Sequence, residues 1–140
     1  MPVAGLTTLG IVLLCGMLGG CVTSGDAPGQ AADGIDRVRA GQPTFLQQTY
    51  MTMDKSCRQG KRPTAVLTRD PEHGKVRMAT RKAEAVYGPG PYAHCDGRVG
   101  NSLAFEYTSR PDYRGRDSFE VKVRYADGEV RDGRFEIEVR

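Results

Sequence analysis

The sequence predicts an all-β fold, an antiparallel sandwich of about six to seven short strands. Three observations lead there. Apolar and polar residues alternate with period two in the C-terminal stretches, clusters of Gly, Pro, Asp and Asn separate the runs, and no stretch keeps a helical period across three turns. Sustained alternation marks a strand with one face buried and the other in water.

Taken along the chain, Gln47–Met53 (QQTYMTM) is the first candidate strand. Thr64–Arg69 (TAVLTR) follows Pro63 and is rich in β-branched residues, which fit a pleated, half-buried surface. Gly74–Thr80 alternates Val76 and Met78 with charges, and the connection Asp70-Pro71-Glu72-His73-Gly74 carries turn residues at both ends. Ala83–Tyr87 is a further candidate before the Gly88-Pro89-Gly90-Pro91 turn. Leu103, Phe105 and Tyr107 alternate with Ala104, Glu106 and Thr108. Phe119, Val121, Val123 and Tyr125 alternate with Glu120, Lys122 and Arg124, and Phe135, Ile137 and Val139 with Glu136, Glu138 and Arg140. Between these last two runs, Asp127-Gly128 is suited to a tight hairpin turn.

Ahead of the strands lies a different kind of chain. Of 140 residues, the first 25 contain no Asp, Glu, Lys or Arg, although the whole carries 20 basic and 17 acidic side chains. The run Leu9–Leu18 is apolar and shorter than the roughly 20 residues a membrane-spanning helix requires. An apolar core of that length followed by small residues is the secretory signal pattern. The residues after it, Leu18-Gly19-Gly20-Cys21, resemble the lipobox of bacterial lipoproteins. That resemblance implies cleavage after Gly20 and a lipidated Cys21, with Val22 in place of Asp resembling outer-membrane sorting. The alternatives are a signal peptide cut elsewhere and a short buried apolar helix. Met1–Thr8 has no Lys or Arg, so its positive charge would come from the amino terminus alone. Residues 22–41 are dominated by Gly, Ala, Ser, Asp, Pro and Gln, too few large apolar groups to offset ordering entropy. The expected organisation is a signal peptide at 1–20, a lipidated Cys and flexible linker at 21–41, and one folded domain at 42–140.

Processing of that kind discards Cys15 and commits Cys21 to lipid. Cys57 and Cys95 remain, in a compartment that favours disulfides. A bridge between them closes a loop of about 39 residues, worth about 4 kcal/mol in the chain-entropy model. A metal site is the competing reading, since His94 adjoins Cys95 and Asp96, and His73 lies between the two cysteines. Zinc sites usually show a pair of ligands two to four residues apart, and no such pair exists here. The disulfide is therefore expected, with no metal, and both histidines in loops.

Leu103–Arg140 resembles the closing portion of bacterial immunoglobulin-like, cadherin-like domains. The matching features are Tyr107-Thr108, Pro111, Tyr113, Gly115, Asp117-Ser118-Phe119 and Asp127-Gly128, with Pro71-Glu72-His73-Gly74-Lys75-Val76 similar to an upstream segment of the same domains. The resemblance spans roughly Pro63 to Arg140 and implies an immunoglobulin-like sandwich. It implies nothing about activity. In physical terms, Gly115 suits a positive φ, Asp117 can accept backbone N–H groups in the turn, and Tyr113 can cover the end of the core. The linkers that bind calcium between tandem repeats are missing, and Asp112, Asp117, Asp127 and Asp132 lack the dense spacing of a calcium loop.

Catalysis has little to rest on. Ser56 and Ser118 lie outside any G-x-S-x-G elbow, and nothing local orients His73 or His94 as a base. Basic residues occur at Lys61-Arg62, Arg81-Lys82 and the group Arg110, Arg114, Arg116, but Asp112 and Asp117 lie within that last group and strand faces alternate sign, as in Glu120-Lys122-Arg124. This describes an ordinary solvated surface, and a location outside the cytoplasm excludes nucleic acid as partner. The expected protein is not an enzyme and has no catalytic residue and no cofactor. It is a lipoprotein of the bacterial envelope, anchored in the membrane by lipid at the outer membrane and facing the periplasm, whose domain binds a protein or glycan or serves a structural role. The alternative is an envelope enzyme, or an enzyme inhibitor, with a site around His94 and Cys95.

Overall fold

Phe119, Val121 and Val123 point to one side of their strand, and Phe135, Ile137 and Val139 do the same on the neighbouring one; all six are buried. This single apolar face needs a second layer. Leu103, Phe105 and Tyr107 supply it from another sheet and join the same core. In the computed structural model, which describes residues 33–140, the strands are β1 (Ile35–Val38), β2 (Thr44–Phe45), β3 (Thr64–Arg69), β4 (Gly74–Glu84), β5 (Val99–Ser109), β6 (Gly115–Arg124) and β7 (Val130–Val139). A short 3-10 turn, Ala93–Cys95, precedes β5. One sheet has the order β1-β7-β6-β3 and the other β2-β5-β4. All pairs are antiparallel except β1 with β7. The arrangement is that of a β-sandwich, as the alternation predicts.

Three phenylalanines hold the layers together. Phe119 and Phe135 are direct cross-strand partners with rings stacked at 4.5 Å. Phe105 reaches across from the facing sheet, 4.9 Å from Phe135 and 6.0 Å from Phe119. Tyr50 stands edge-on to Phe105 at 6.1 Å. Its place depends on Gly133, where an added Cβ would overlap the Tyr50 hydroxyl and sit 2.9 Å from Val121. Gly115 opens β6 with φ +131°, the conformation its type suggests.

The solvent face of the four-stranded sheet is a lattice of ion pairs. Glu120 meets both Arg69 and Arg134, Lys122 meets Asp132, and Arg37 meets Glu138. Each such exposed pair is worth about 1 kcal/mol or less; together they make the centre of that face predominantly charged. On the other sheet, Arg77 forms a two-point contact with Glu106, and Arg81 lies 4.4 Å over the Phe45 ring.

Three expectations need correction. The segment 21–41 is not linker throughout: Ile35–Val38 pairs in parallel with β7, and Val38 is buried. Ordered chain thus begins before residue 42. Isolated apolar residues at 35 and 38 suffice because β7 offers a ready edge, and hydrogen bonds between Val38, Ala40 and Arg140 continue the pairing. The part of the segment before residue 33, with residues 1–20 and Cys21, lies outside the described residues. Gln47–Met53 is not a strand; it touches the sheet at Tyr50 opposite Leu103, while Met53 bridges Gln59. Gly74–Thr80 and the start of Ala83–Tyr87 are one strand, since all eleven residues of β4 pair with β5.

If the phenylalanine cluster ties the layers, Phe105→Ala should lower unfolding free energy by about 3–5 kcal/mol, whereas Val66→Ala, 61% exposed on β3, should change it by roughly 0.5 kcal/mol or less. Urea titration of both variants measures this. A Phe105→Ala cost no larger than that of Val66→Ala would contradict the cluster's role.

Candidate functional site at the disulfide end

Asp54 builds the loop that presents the first cysteine. Its carboxylate accepts N–H bonds from Ser56 at 2.8 Å and Arg58 at 3.0 Å, and the Arg58 guanidinium closes on its other oxygen at 2.9 Å. These contacts, led by the Arg58 backbone N–H, hold the Asp54 carboxyl below the usual range. The turn places Cys57 at φ +58°, the one positive φ of a non-glycine residue among those described, with its N–H donating to the Asp54 carbonyl at 2.9 Å. The second cysteine ends the 3-10 turn, with the Cys95 N–H on the Tyr92 carbonyl at 2.9 Å. Cys57 and Cys95 are joined as a disulfide, with Cα atoms 5.2 Å apart. The bridge therefore pins the β2–β3 loop to the chain entering β5. Met53, Ala85 and Cys95 form a small buried cluster around it, with Met51, Cys57 and Tyr92 against its rim.

Beyond the bridge the surface turns apolar and aromatic. Val86 is 87% and Val99 63% exposed, and Tyr87 and Val130 are also open to solvent. The Tyr87 and Tyr92 rings lie 5.3 Å apart, and Arg131 stacks 5.2 Å over Tyr125. Burial raises the Tyr50, Tyr87 and Tyr125 hydroxyls above their usual range, and the positive charge of Arg131 acts on all three in the opposite sense. Residues from the β2–β3 loop, the β4–β5 connection and the β6–β7 hairpin thus meet at one end. Scattered at positions 50, 87, 92, 125 and 131, they show no local pattern in the sequence. The hairpin turn itself is legible there, with Asp127 accepting the Glu129 N–H at 2.9 Å and Gly128 at φ +92°.

The two histidines part company. The His94 ring Nε2 lies 2.7 Å from the Lys55 carbonyl, beside the disulfide. His73 is at the opposite end of β4, stacked on Tyr113 at 3.8 Å with Nδ1 3.1 Å from Arg110. Next to it sits Asp117, 6% exposed, whose carboxylate accepts four bonds. Tyr107 donates its hydroxyl at 2.7 Å, and the N–H groups of Glu72, His73 and Ser118 donate at 3.0, 3.0 and 2.9 Å. The turn role read from the sequence for Asp117 is therefore present and larger than expected. Asp112, Asp127 and Asp132 are engaged separately, with Arg110, the hairpin turn and Lys122 respectively. Among the described residues, three potential metal ligands do come together at Cys57, His94 and Cys95, with one ligand atom of each within 4.8 Å of the others.

Burial pushes the Asp117 carboxyl up, but the Tyr107 hydroxyl and the three backbone donors outweigh it and leave it below its ordinary value. The same burial and hydrogen bond raise the Tyr107 phenol. A carboxyl whose folded pKa lies below its unfolded one stabilises the fold at all pH values above the unfolded pKa of about 3.9, and that stabilisation is lost as pH falls through the folded value. Asp117→Asn should therefore cost about 1–3 kcal/mol at pH 7 and flatten the loss of stability on acidification below about pH 4. Urea midpoints at neutral and acid pH test both; an unchanged acid limb in the variant would show that Asp117 does not carry it.

Compared with family models, curated proteins and solved structures, the chain matches none.

Proposed function

We propose that this chain is a bacterial envelope lipoprotein, held to the membrane through lipid on Cys21, whose immunoglobulin-like domain binds a protein or glycan at its disulfide-clamped end. The observation that carries the binding reading is the exposed group Val86, Tyr87, Val99 and Val130. It is flanked by Tyr92 and by Arg131 over Tyr125. Large apolar side chains left exposed at one end of a small domain suit an interaction site, and Tyr and Arg are the side chains that interfaces favour. The disulfide supports a location in an oxidising compartment, which agrees with the uncharged leader and the Leu18-Gly19-Gly20-Cys21 motif.

Support for the immunoglobulin-like type comes from the strand order. Labelled A to G in sequence, immunoglobulin sheets pair B with E and D, and C with F and G; β2-β5-β4 and β3-β6-β7 correspond strand for strand. The disulfide departs from the antibody pattern. It lies outside both sheets, between the β2–β3 loop and the turn ahead of β5, where it stiffens an end of the sandwich rather than its middle. The alternative of an enzyme around His94 and Cys95 requires a thiolate nucleophile, and both sulfurs are bonded to each other.

Two variants test the proposal. Cys21→Ser should move the protein from the membrane to the soluble fraction on cell fractionation, and unchanged retention refutes the anchor. The paired change Tyr87→Ala and Tyr92→Ala should keep the fold and reduce retention of the protein on immobilised envelope glycan and on cross-linked envelope proteins by about tenfold, the equivalent of about 1.4 kcal/mol. Retention equal to that of the parent on both would refute the binding surface.

A further inference from the structure

We propose that reduction of the Cys57–Cys95 disulfide converts the clamp into a zinc site, with both thiolates and the imidazole of His94 as ligands. The fold brings together what the sequence keeps apart. Spacing alone argues against zinc because no two ligands are close in the chain except His94 and Cys95. In space, one ligand atom from each of Cys57, His94 and Cys95 lies within 4.8 Å of the other two. A tetrahedral zinc ion with bonds of about 2.0–2.3 Å needs its ligand atoms about 3.3–3.8 Å apart. No pair of ligand atoms thus exceeds the required separation by more than about 1.5 Å, and the sulfurs can move apart once the bond between them is broken.

Two further features prepare the site. First, the loops that present the sulfurs are held by bonds that do not depend on the disulfide. The Cys57 N–H is on the Asp54 carbonyl, the Cys95 N–H is on the Tyr92 carbonyl, and the Asp54 carboxylate caps the turn between residues 54 and 58. Second, one nitrogen of the imidazole already has its partner. A carbonyl only accepts, so the 2.7 Å contact with the Lys55 oxygen places the proton of the neutral ring on Nε2 and leaves the lone pair on Nδ1. A backbone carbonyl on one nitrogen is the usual partner of a histidine that binds metal through the other. Cys95 is fully buried while Cys57 is half-buried and His94 exposed, so a fourth position remains for water on the open side. Two Cys and one His with an open position is a known zinc ligand set.

The chemistry balances with a dithiol as reductant. Its two S–H bonds break and its own disulfide forms, the protein S–S bond breaks, and two electrons and two protons pass to the protein sulfurs. Zinc then binds both sulfurs as thiolates, and the two thiol protons leave to solvent. In the reverse exchange a small-molecule disulfide takes two electrons from the zinc-bound thiolates and two protons from solvent to become a dithiol, the Cys57–Cys95 bond re-forms and zinc is released.

The test uses the full chain, reduced with a dithiol, freed of reductant without air, and titrated with cobalt(II) as a spectroscopic probe and then zinc. The reduced protein should show thiolate-to-cobalt charge transfer and the strong visible bands of tetrahedral cobalt, bleached by stoichiometric zinc. The oxidised protein should show neither. His94→Ala should weaken cobalt binding by at least about tenfold, and the double change Cys57→Ser, Cys95→Ser should abolish the charge-transfer band, with circular dichroism verifying the fold of each. Absence of the band in the reduced protein, equal affinity in His94→Ala, or a reduced chain that unfolds and is not restored by zinc would each overturn the proposal.

Discussion

A carboxylate buried between two sheets must either lose its charge or find enough donors to keep it. Asp117 does the second, and much of the sandwich is arranged around the donors it needs. Tyr107 belongs to β5 in the three-stranded sheet and Asp117 to β6 in the four-stranded one, so their bond ties one layer to the other. Glu72 and His73 lie in the connection that carries the chain from β3 in one sheet to β4 in the other. Their N–H groups have no strand to pair with at that crossing, and the carboxylate takes both. Removing the acceptor would leave a buried hydroxyl and the crossing loop without partners, which is why one side chain has consequences in three elements. His73 and Tyr113 then stack over this end and shield it from water.

The register of β4 with β5 runs from Gly74 opposite Ser109 to Glu84 opposite Val99, so the Asp117 network and the disulfide occupy opposite ends of one long ladder. Each end is closed by a different means. At the Asp117 end, hydrogen bonds satisfy a charge. At the other, a covalent bond supplements the packing of two long connections, 46–63 and 85–98, whose own buried cluster is only Met53, Ala85 and Cys95. This frees the aromatic and aliphatic side chains of that end to face outward instead of forming a core. The centre of the solvent face of the four-stranded sheet, by contrast, carries ion pairs, with Val66 exposed on its β3 edge.

What could be read in advance follows from how local each determinant is. β5, β6 and β7 each carry their inward residues at strict intervals of two, and the Asp127-Gly128 hairpin is contained in two neighbouring residues. The cysteine pair was legible from the two cysteines left by the expected processing rather than from geometry. The second half of β4 was obscure because Thr80, Arg81, Lys82 and Glu84 are all exposed, so neither face carries an apolar series there and alternation fades. β1 was hidden by composition, its ordering supplied by the free edge of β7, by Val38 in the core and by Asp36 accepting the Gln47 N–H. Asp54 and the tyrosines at the disulfide end draw their roles from segments distant in the chain, where no window of sequence brings them together.

The parallel pairing of β1 with β7 also bears on how the domain carries load. β1 is the first strand of the described chain, and its four residues bond side by side with Glu136–Val139. A pull toward the amino terminus acts along the strand axis, so those bonds resist together in shear instead of opening one after another like a zip. Beyond them, Val38 is seated in the core and Arg37 is paired with Glu138, so the strand must slide past both before it can leave. A short strand in this orientation makes a mechanical latch at the point where any membrane tether would enter.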